Sequence, residues 1–140
     1  MSKGKGQCLC GAVKFTETDI RNNVEACHCG LCRRWGGGPL MVVSCGTGVA
    51  FEGGENITVY NSSDWAERGF CKKCGSHLFY RLKEINEYQM PVGLVNNQEG
   101  FNFNLQVYID RKPPFYCFAN KTSEMTEAEV IEKYAPDQNT

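Results

Sequence analysis

Nine cysteines among 140 residues carry the chemistry of this sequence, and seven of them are clustered: Cys8 with Cys10, then Cys27, Cys29 and Cys32, then Cys71 with Cys74. Cys71-Lys-Lys-Cys74-Gly is a C-x-x-C knuckle followed by glycine, a turn that aims two thiolates at one ion while backbone amides face the sulfurs. Structural zinc takes four ligands, so a second pair must come from elsewhere, and Cys8-Leu-Cys10-Gly at the entrance to the first strand is the best partner. Cys8, Cys10, Cys71 and Cys74 are therefore expected to close one structural zinc site.

Cys27-His28-Cys29-Gly-Leu-Cys32 places three further thiolates close together. Three protein ligands and one open position is the pattern of catalytic zinc. Three thiolates leave the centre negatively charged, which weakens it as an acidifier of water and favours a soft fourth ligand, such as the thiolate of a small substrate. Two closed arrangements compete: His28 as a fourth ligand, or Cys45 arriving from the next strand. His28 sits directly between two ligands, where its side chain is hard to bring to the same ion. Nothing around Cys45 marks a knuckle, and Cys45 and Cys117 read as small buried residues. Beside the open site, Arg33 and Arg34 could clamp a substrate carboxylate. Trp35 and the Gly36-Gly37-Gly38 turn could wall a pocket. The same residues also read as surface charge, a packed aromatic and a loop. His77, entering an apolar strand, reads as a structural histidine, with proton transfer as its functional alternative.

These ligands need a rigid frame, and the rest of the sequence describes a mainly β one. Hydrophobic residues at 41% and charged residues at 22% are those of an ordinary globular domain. A single domain over residues 1–140 is expected. Period-two alternation predicts strands over 10–18, 40–44, 57–60, 78–82, 88–92, 103–109 and 115–119, separated by glycine- and asparagine-rich turns that suit antiparallel sheets. A short helix is expected near Gly30–Trp35. A second is expected from Thr126, with Glu129 completing a capping box, to a stop before Pro136. The opening Met-Ser-Lys-Gly-Lys-Gly-Gln has no apolar stretch, so a reducing, cytoplasmic setting is expected, where clustered cysteines bind metal. No apolar run reaches the roughly 18 residues of a membrane span. A net charge of -1 without a dense basic stretch argues against nucleic acid as a partner.

Cys8-x-Cys10-Gly-Ala-Val-x-Phe, Cys27-His-Cys29-x-x-Cys32-Arg, Phe70-Cys71-x-x-Cys74-Gly-Ser and Lys112-Pro-Pro-Phe follow one another along the chain. In that order the sequence resembles the glutathione-dependent formaldehyde-activating enzyme family, which includes the centromere protein V-like proteins. The resemblance implies a zinc-stapled, antiparallel β-tent fold like that of the Rab-exchange zinc proteins. It implies two zinc ions per chain, one structural at Cys8, Cys10, Cys71 and Cys74, the other catalytic at Cys27, Cys29 and Cys32. It further implies a carbon–sulfur lyase whose substrates are a thiol such as glutathione and a small aldehyde such as formaldehyde. A noncatalytic module that binds another protein is the alternative that the same relatives suggest. The chain departs from the family pattern at Val95-Asn96-Asn97, where an Asp-rich turn is common, and at Phe115, where tryptophan is common.

Overall fold

Half-buried strands form where apolar and polar side chains alternate, and glycines in left-handed conformations turn the chain between them. The computed structural model describes residues 2–134. Its strands are β1 (Ser2–Gln7), β2 (Lys14–Ile20), β3 (Asn23–Cys27), β4 (Leu40–Gly46), β5 (Val49–Glu52), β6 (Ile57–Tyr60), β7 (Ala66–Cys71), β8 (His77–Leu82), β9 (Glu87–Pro91), β10 (Asn102–Val107) and β11 (Ser123–Met125). Helix α1 (Gly30–Gly36) follows β3, and α2 (Glu127–Tyr134) follows β11. Two compact units result, each from two stretches of chain: one from the residues up to Asn22 and Val42–Phe101, the other from Asn23–Met41 and the chain from Asn102 onward. No helix among the described residues is long and apolar enough to cross a membrane.

The first unit holds a three-stranded antiparallel sheet, β1-β2-β5, and the antiparallel run β4-β9-β8-β7-β6. From Lys14 to Thr18 in β2 the alternation is strict: Lys14, Thr16 and Thr18 are exposed while Phe15 and Glu17 are buried. Phe15, Val43, Leu78, Phe79 and Met90 form its core. Phe79 stands edge-on to Tyr88 with centroids 5.0 Å apart and meets Phe51 at 5.6 Å. Gly69 lies opposite Phe79 in the β7–β8 register, and a Cβ there would overlap the Phe79 ring.

The second unit is built on β11-β10-β3, and both pairings are parallel, so the expected mainly β fold, antiparallel in the first unit, is mixed overall. Strands far apart in sequence are not bound by a hairpin to run in opposite directions. Helix α1 has the expected position and two-turn length, and it ends at Gly37, whose φ of 85° is readily reached only by glycine. The capping box before α2 is present: Glu129 N–H donates to Thr126 Oγ1 (3.3 Å) and Thr126 N–H donates to Glu129 Oε1 (2.8 Å). Pro136, expected to stop α2, lies outside the described residues.

Strands predicted over 40–44, 57–60, 78–82, 88–92 and 103–109 correspond to β4, β6, β8, β9 and β10. The strand expected over 10–18 starts only at Lys14, because Gly11 takes a φ of 80° and turns the chain. The strand expected over 115–119 is absent. Its alternation is real, with Phe115 and Cys117 exposed and Tyr116 and Phe118 half-buried, but the segment is held by side chains instead of a ladder. Phe118 packs edge-on against Phe103 at 4.9 Å, and Lys112 Nζ donates to the carbonyls of Pro113 and Tyr116. Cys117 is thereby exposed, against the expectation of a buried residue, whereas Cys45 is fully buried as expected.

Replacing Gly69 with alanine should cost about 1–3 kcal/mol by overpacking against Phe79. Urea denaturation measures this, and an unmoved midpoint would show that the ring gives way freely. Glu17 supplies a second test. It is 2% exposed, neither carboxylate oxygen finds a hydrogen-bond donor, and the weakly donating Cys45 thiol lies beside it. Burial, with Asp19 adding repulsion, raises its pKa above the ordinary 4.5. The folded chain thus holds a proton that the unfolded chain releases, and the stability this proton gives is lost as pH climbs from about 4.5 through the raised pKa. The stability of Glu17→Gln relative to wild type should therefore rise with pH over that window, and a pH-independent difference would contradict this protonation.

Candidate metal centres

Two turns of the first unit bring Cys8, Cys10, Cys71 and Cys74 together, with all four sulfurs within 4.8 Å of one another. Each turn is closed in the same way. Cys8 N–H donates to Val13 O (3.0 Å) and Cys71 N–H donates to Ser76 O (2.9 Å), with a left-handed glycine, Gly11 or Gly75, just after the second cysteine. Leu9 N–H donates to Ser76 Oγ (3.0 Å) and ties the two turns to each other. The Cys8–Cys10 and Cys10–Cys71 sulfur separations are 3.7 and 3.8 Å. A tetrahedron of thiolates with metal–sulfur bonds of about 2.3 Å has edges of about 3.8 Å, so this cluster fits one ion.

The environment prepares that cluster unevenly for ionisation. The Ser76 hydroxyl, 3.2 Å from Cys74 Sγ, leads the contacts that bring Cys74 down to about 5. At Cys10 the lowering effect of the Ala12 amide is outweighed by desolvation and the adjacent thiols, which leave it at about 11. Cys74 thus gives up its proton readily, while Cys10 holds its proton more firmly.

The second unit assembles Cys27, Cys29 and Cys32, whose sulfurs also lie within 4.8 Å of one another. Cys27 ends β3, Cys29 caps α1 in an extended conformation, and Cys32 lies one turn into the helix. Cys29 Sγ accepts from Cys32 N–H at 3.3 Å, so the cap itself sets the spacing of two ligands. Hydrogen bonding from Cys29 and Cys32 pushes Cys27 far above the usual thiol range, since thiols this close resist ionising together, and loading a cation must release their protons.

Neither proposed fourth ligand joins this cluster. His28 is fully buried and both ring nitrogens are engaged. Gln106 Nε2 donates to Thr122 Oγ1 (3.0 Å), which turns Gln106 Oε1 toward His28 Nε2 (2.8 Å), so Nε2 carries the proton. Nδ1 then accepts from the Tyr116 hydroxyl at 2.7 Å. Burial, aided by the positive charges of Lys112 and Arg33, lowers the His28 pKa and keeps the ring neutral. Cys45 is buried with its thiol toward Val43 O (3.7 Å) and Glu17. Among the described residues no other His, Cys, Asp or Glu belongs to the three-thiol cluster. His77 opens β8, and its pKa is lowered by burial and by Arg68; it belongs to neither cluster.

A cleft of about 290 Å³ lies along α1, lined by Gly30, Arg33, Arg34, Gly37, Phe115 and Tyr116 among others. The two arginines differ. Arg33 Nε donates to His28 O (2.9 Å) and so braces the cysteine turn. Arg34 is exposed and makes no hydrogen bond or ion pair among the described residues. Trp35 is half-buried on α1 and does not line the cleft. Sequence reasoning missed Tyr116, Gln106 and Lys112, the residues that hold His28 and the cleft loop. The Lys112-Pro-Pro-Phe motif was the available signal, since a lysine before two prolines faces carbonyls left without helical or sheet partners.

Comparison with known proteins gives this geometry a context. A family model, glutathione-dependent formaldehyde-activating enzyme, matches residues 3–111. An uncharacterized lyase of Schizosaccharomyces pombe is 39% identical over 132 residues, 94% of this chain and 96% of that protein. A crystal structure of a Rhodobacter sphaeroides protein superposes with a TM-score of 0.57 at 28% identity, covering 66% of this chain and 88% of that one. The chain belongs to the glutathione-dependent formaldehyde-activating enzyme family.

Proposed function

We propose that this chain is a zinc-dependent carbon–sulfur lyase that makes and breaks the adduct of a thiol, glutathione foremost, with formaldehyde or another small aldehyde. One observation carries the reading: three clustered thiols with no fourth protein ligand among the described residues, and a neighbouring His28 whose two nitrogens are both committed elsewhere. Cys27, Cys29 and Cys32 would hold the second zinc, and Cys8, Cys10, Cys71 and Cys74 the first, giving two ions per chain. Zinc at the three-cysteine centre would supply a thiophilic, Lewis-acidic position with one site open to substrate.

The chain's own residues do the positioning. Burial and the charges of Lys112 and Arg33 keep His28 neutral, and Tyr116 and Gln106 engage both of its ring nitrogens, so the ring would not take the open position. Arg33 braces the turn between Cys27 and Cys29 through the His28 carbonyl. In the synthetic direction the sulfur lone pair forms a bond to the aldehyde carbon while the carbonyl π pair moves to oxygen, which takes up the proton released by the thiol. Cleavage is the reverse. Nine free thiols suit a reducing, cytoplasmic setting.

The two centres should respond differently to mutation. Cys71→Ser, or chelation of all metal, should lower the melting temperature sharply, because apparent zinc-binding energies of about 10–16 kcal/mol in small modules rival a whole domain's stability. Cys29→Ser should leave the fold largely intact while removing lyase activity and one of two zinc ions in elemental analysis. With cobalt in place of zinc, adding glutathione should change the sulfur-to-metal absorption bands. A spectrum indifferent to glutathione, together with full activity in Cys29→Ser, would refute the enzymatic reading.

A further inference from the structure

The helix that carries Cys32 and is capped by Cys29 also lines a cleft whose walls are chemically unlike, and the thiol reading gives that difference a meaning. Gly30, immediately after Cys29, and Arg33, immediately after Cys32, both line it, so the cleft runs along the helix that carries two of the three thiols. On this helical wall Arg33 is committed to the His28 carbonyl, whereas Arg34 is an exposed guanidinium with no partner among the described residues. Across from it stands the loop after Pro113. Lys112 fixes this loop through two carbonyls, and Tyr116 fixes it through His28 Nδ1. A loop held at both places still leaves Phe115 82% exposed at the rim of the cleft. The far end is vacant, since a Cβ built at Gly37 or Gly38 meets no atom within 4 Å.

We propose that Arg34 and Phe115 select the substrate: Arg34 takes a carboxylate of the thiol, and Phe115 covers the chain between that carboxylate and the sulfur. This rests on the three-cysteine centre receiving a thiol. A planar guanidinium pairs with carboxylate through two parallel N–H donors, which a neutral thiol cannot use. The cleft volume is at the small end for ligand sites, which suits the arm of a small molecule. The predicted pair of carboxylate clamps thus resolves into one clamp, Arg34, and one brace, Arg33, while Trp35 is replaced as the aromatic contact by Phe115.

Cobalt-loaded protein tests this with three probes of falling charge and size: glutathione, its uncharged-carboxyl diester, and 2-mercaptoethanol, each titrated against the metal's absorption bands. Wild type should bind glutathione about tenfold more tightly than the diester, the scale of one favourable charged pair. Arg34→Ala should erase that preference without changing the affinity for 2-mercaptoethanol, and Arg34→Lys should restore part of it. Phe115→Ala should weaken glutathione and the diester alike, and 2-mercaptoethanol less. Equal affinities of wild type for glutathione and diester, or an Arg34→Ala loss shared by 2-mercaptoethanol, overturns the selection role and leaves the thiol reading standing. A spectrum unmoved by every thiol overturns both.

Discussion

Two hydrogen bonds to one imidazole ring hold the three-cysteine centre in its present form. His28 stands between Cys27 and Cys29, where the backbone already makes it hard to bring the ring to the same ion, but an unengaged ring would still offer a nitrogen to another cation. The Tyr116 hydroxyl at Nδ1 and the Gln106 amide oxygen at Nε2 remove that option by using the acceptor and the donor of a neutral ring at once. Breaking either bond would strand a polar nitrogen in a fully buried setting, at a cost of about 1–3 kcal/mol. The same ring fastens the cleft loop through Tyr116, so the placement of His28 beside the thiols and the shape of the neighbouring wall share one support.

The first centre is built on the opposite plan. Its two cysteine pairs sit in turns of matching hydrogen-bond pattern, and the donors around the sulfurs come from the turns themselves and from Ser76. No histidine has to be kept away, and no cleft is needed. Four thiols at tetrahedral spacing leave no vacancy for a substrate. One chain therefore gathers the same side chain into a cluster of four in one unit and of three in the other. The difference lies in ligand number and in what surrounds the sulfurs.

Both cysteine clusters were legible in the sequence because knuckles are local: Cys71–Cys74 and Cys27–Cys32 each fit within a single turn or cap. The fate of His28 was not, because its partners Gln106 and Tyr116 lie 78 and 88 positions away. Strands rich in β-branched and aromatic residues, such as β6 and β8, were also readable. β1 was not, since Ser-Lys-Gly-Lys-Gly-Gln has no apolar face. It becomes a strand by pairing with β2, and at Gly6 a Cβ would strike the Leu94 carbonyl. β7 was hidden for a related reason: buried Arg68 breaks the apolar pattern and is accommodated over the Tyr80 ring at 5.0 Å. The segment over 115–119 misled because its alternation serves side-chain packing, and periodicity does not report where backbone hydrogen bonds go.

The matched closure of the turns at Cys8–Val13 and Cys71–Ser76 bears on how the chain tolerates change in length. Each turn presents two sulfurs as a preformed pincer, so gathering four donors reduces to the meeting of two rigid bodies from positions 61 apart. The entropy of that meeting grows only logarithmically, about 0.6 kcal/mol for each doubling of the intervening chain. Extra residues at an exposed loop between the pincers would therefore loosen the four-sulfur cluster very little. A single residue inserted within Cys71–Ser76 would dismantle one pincer outright.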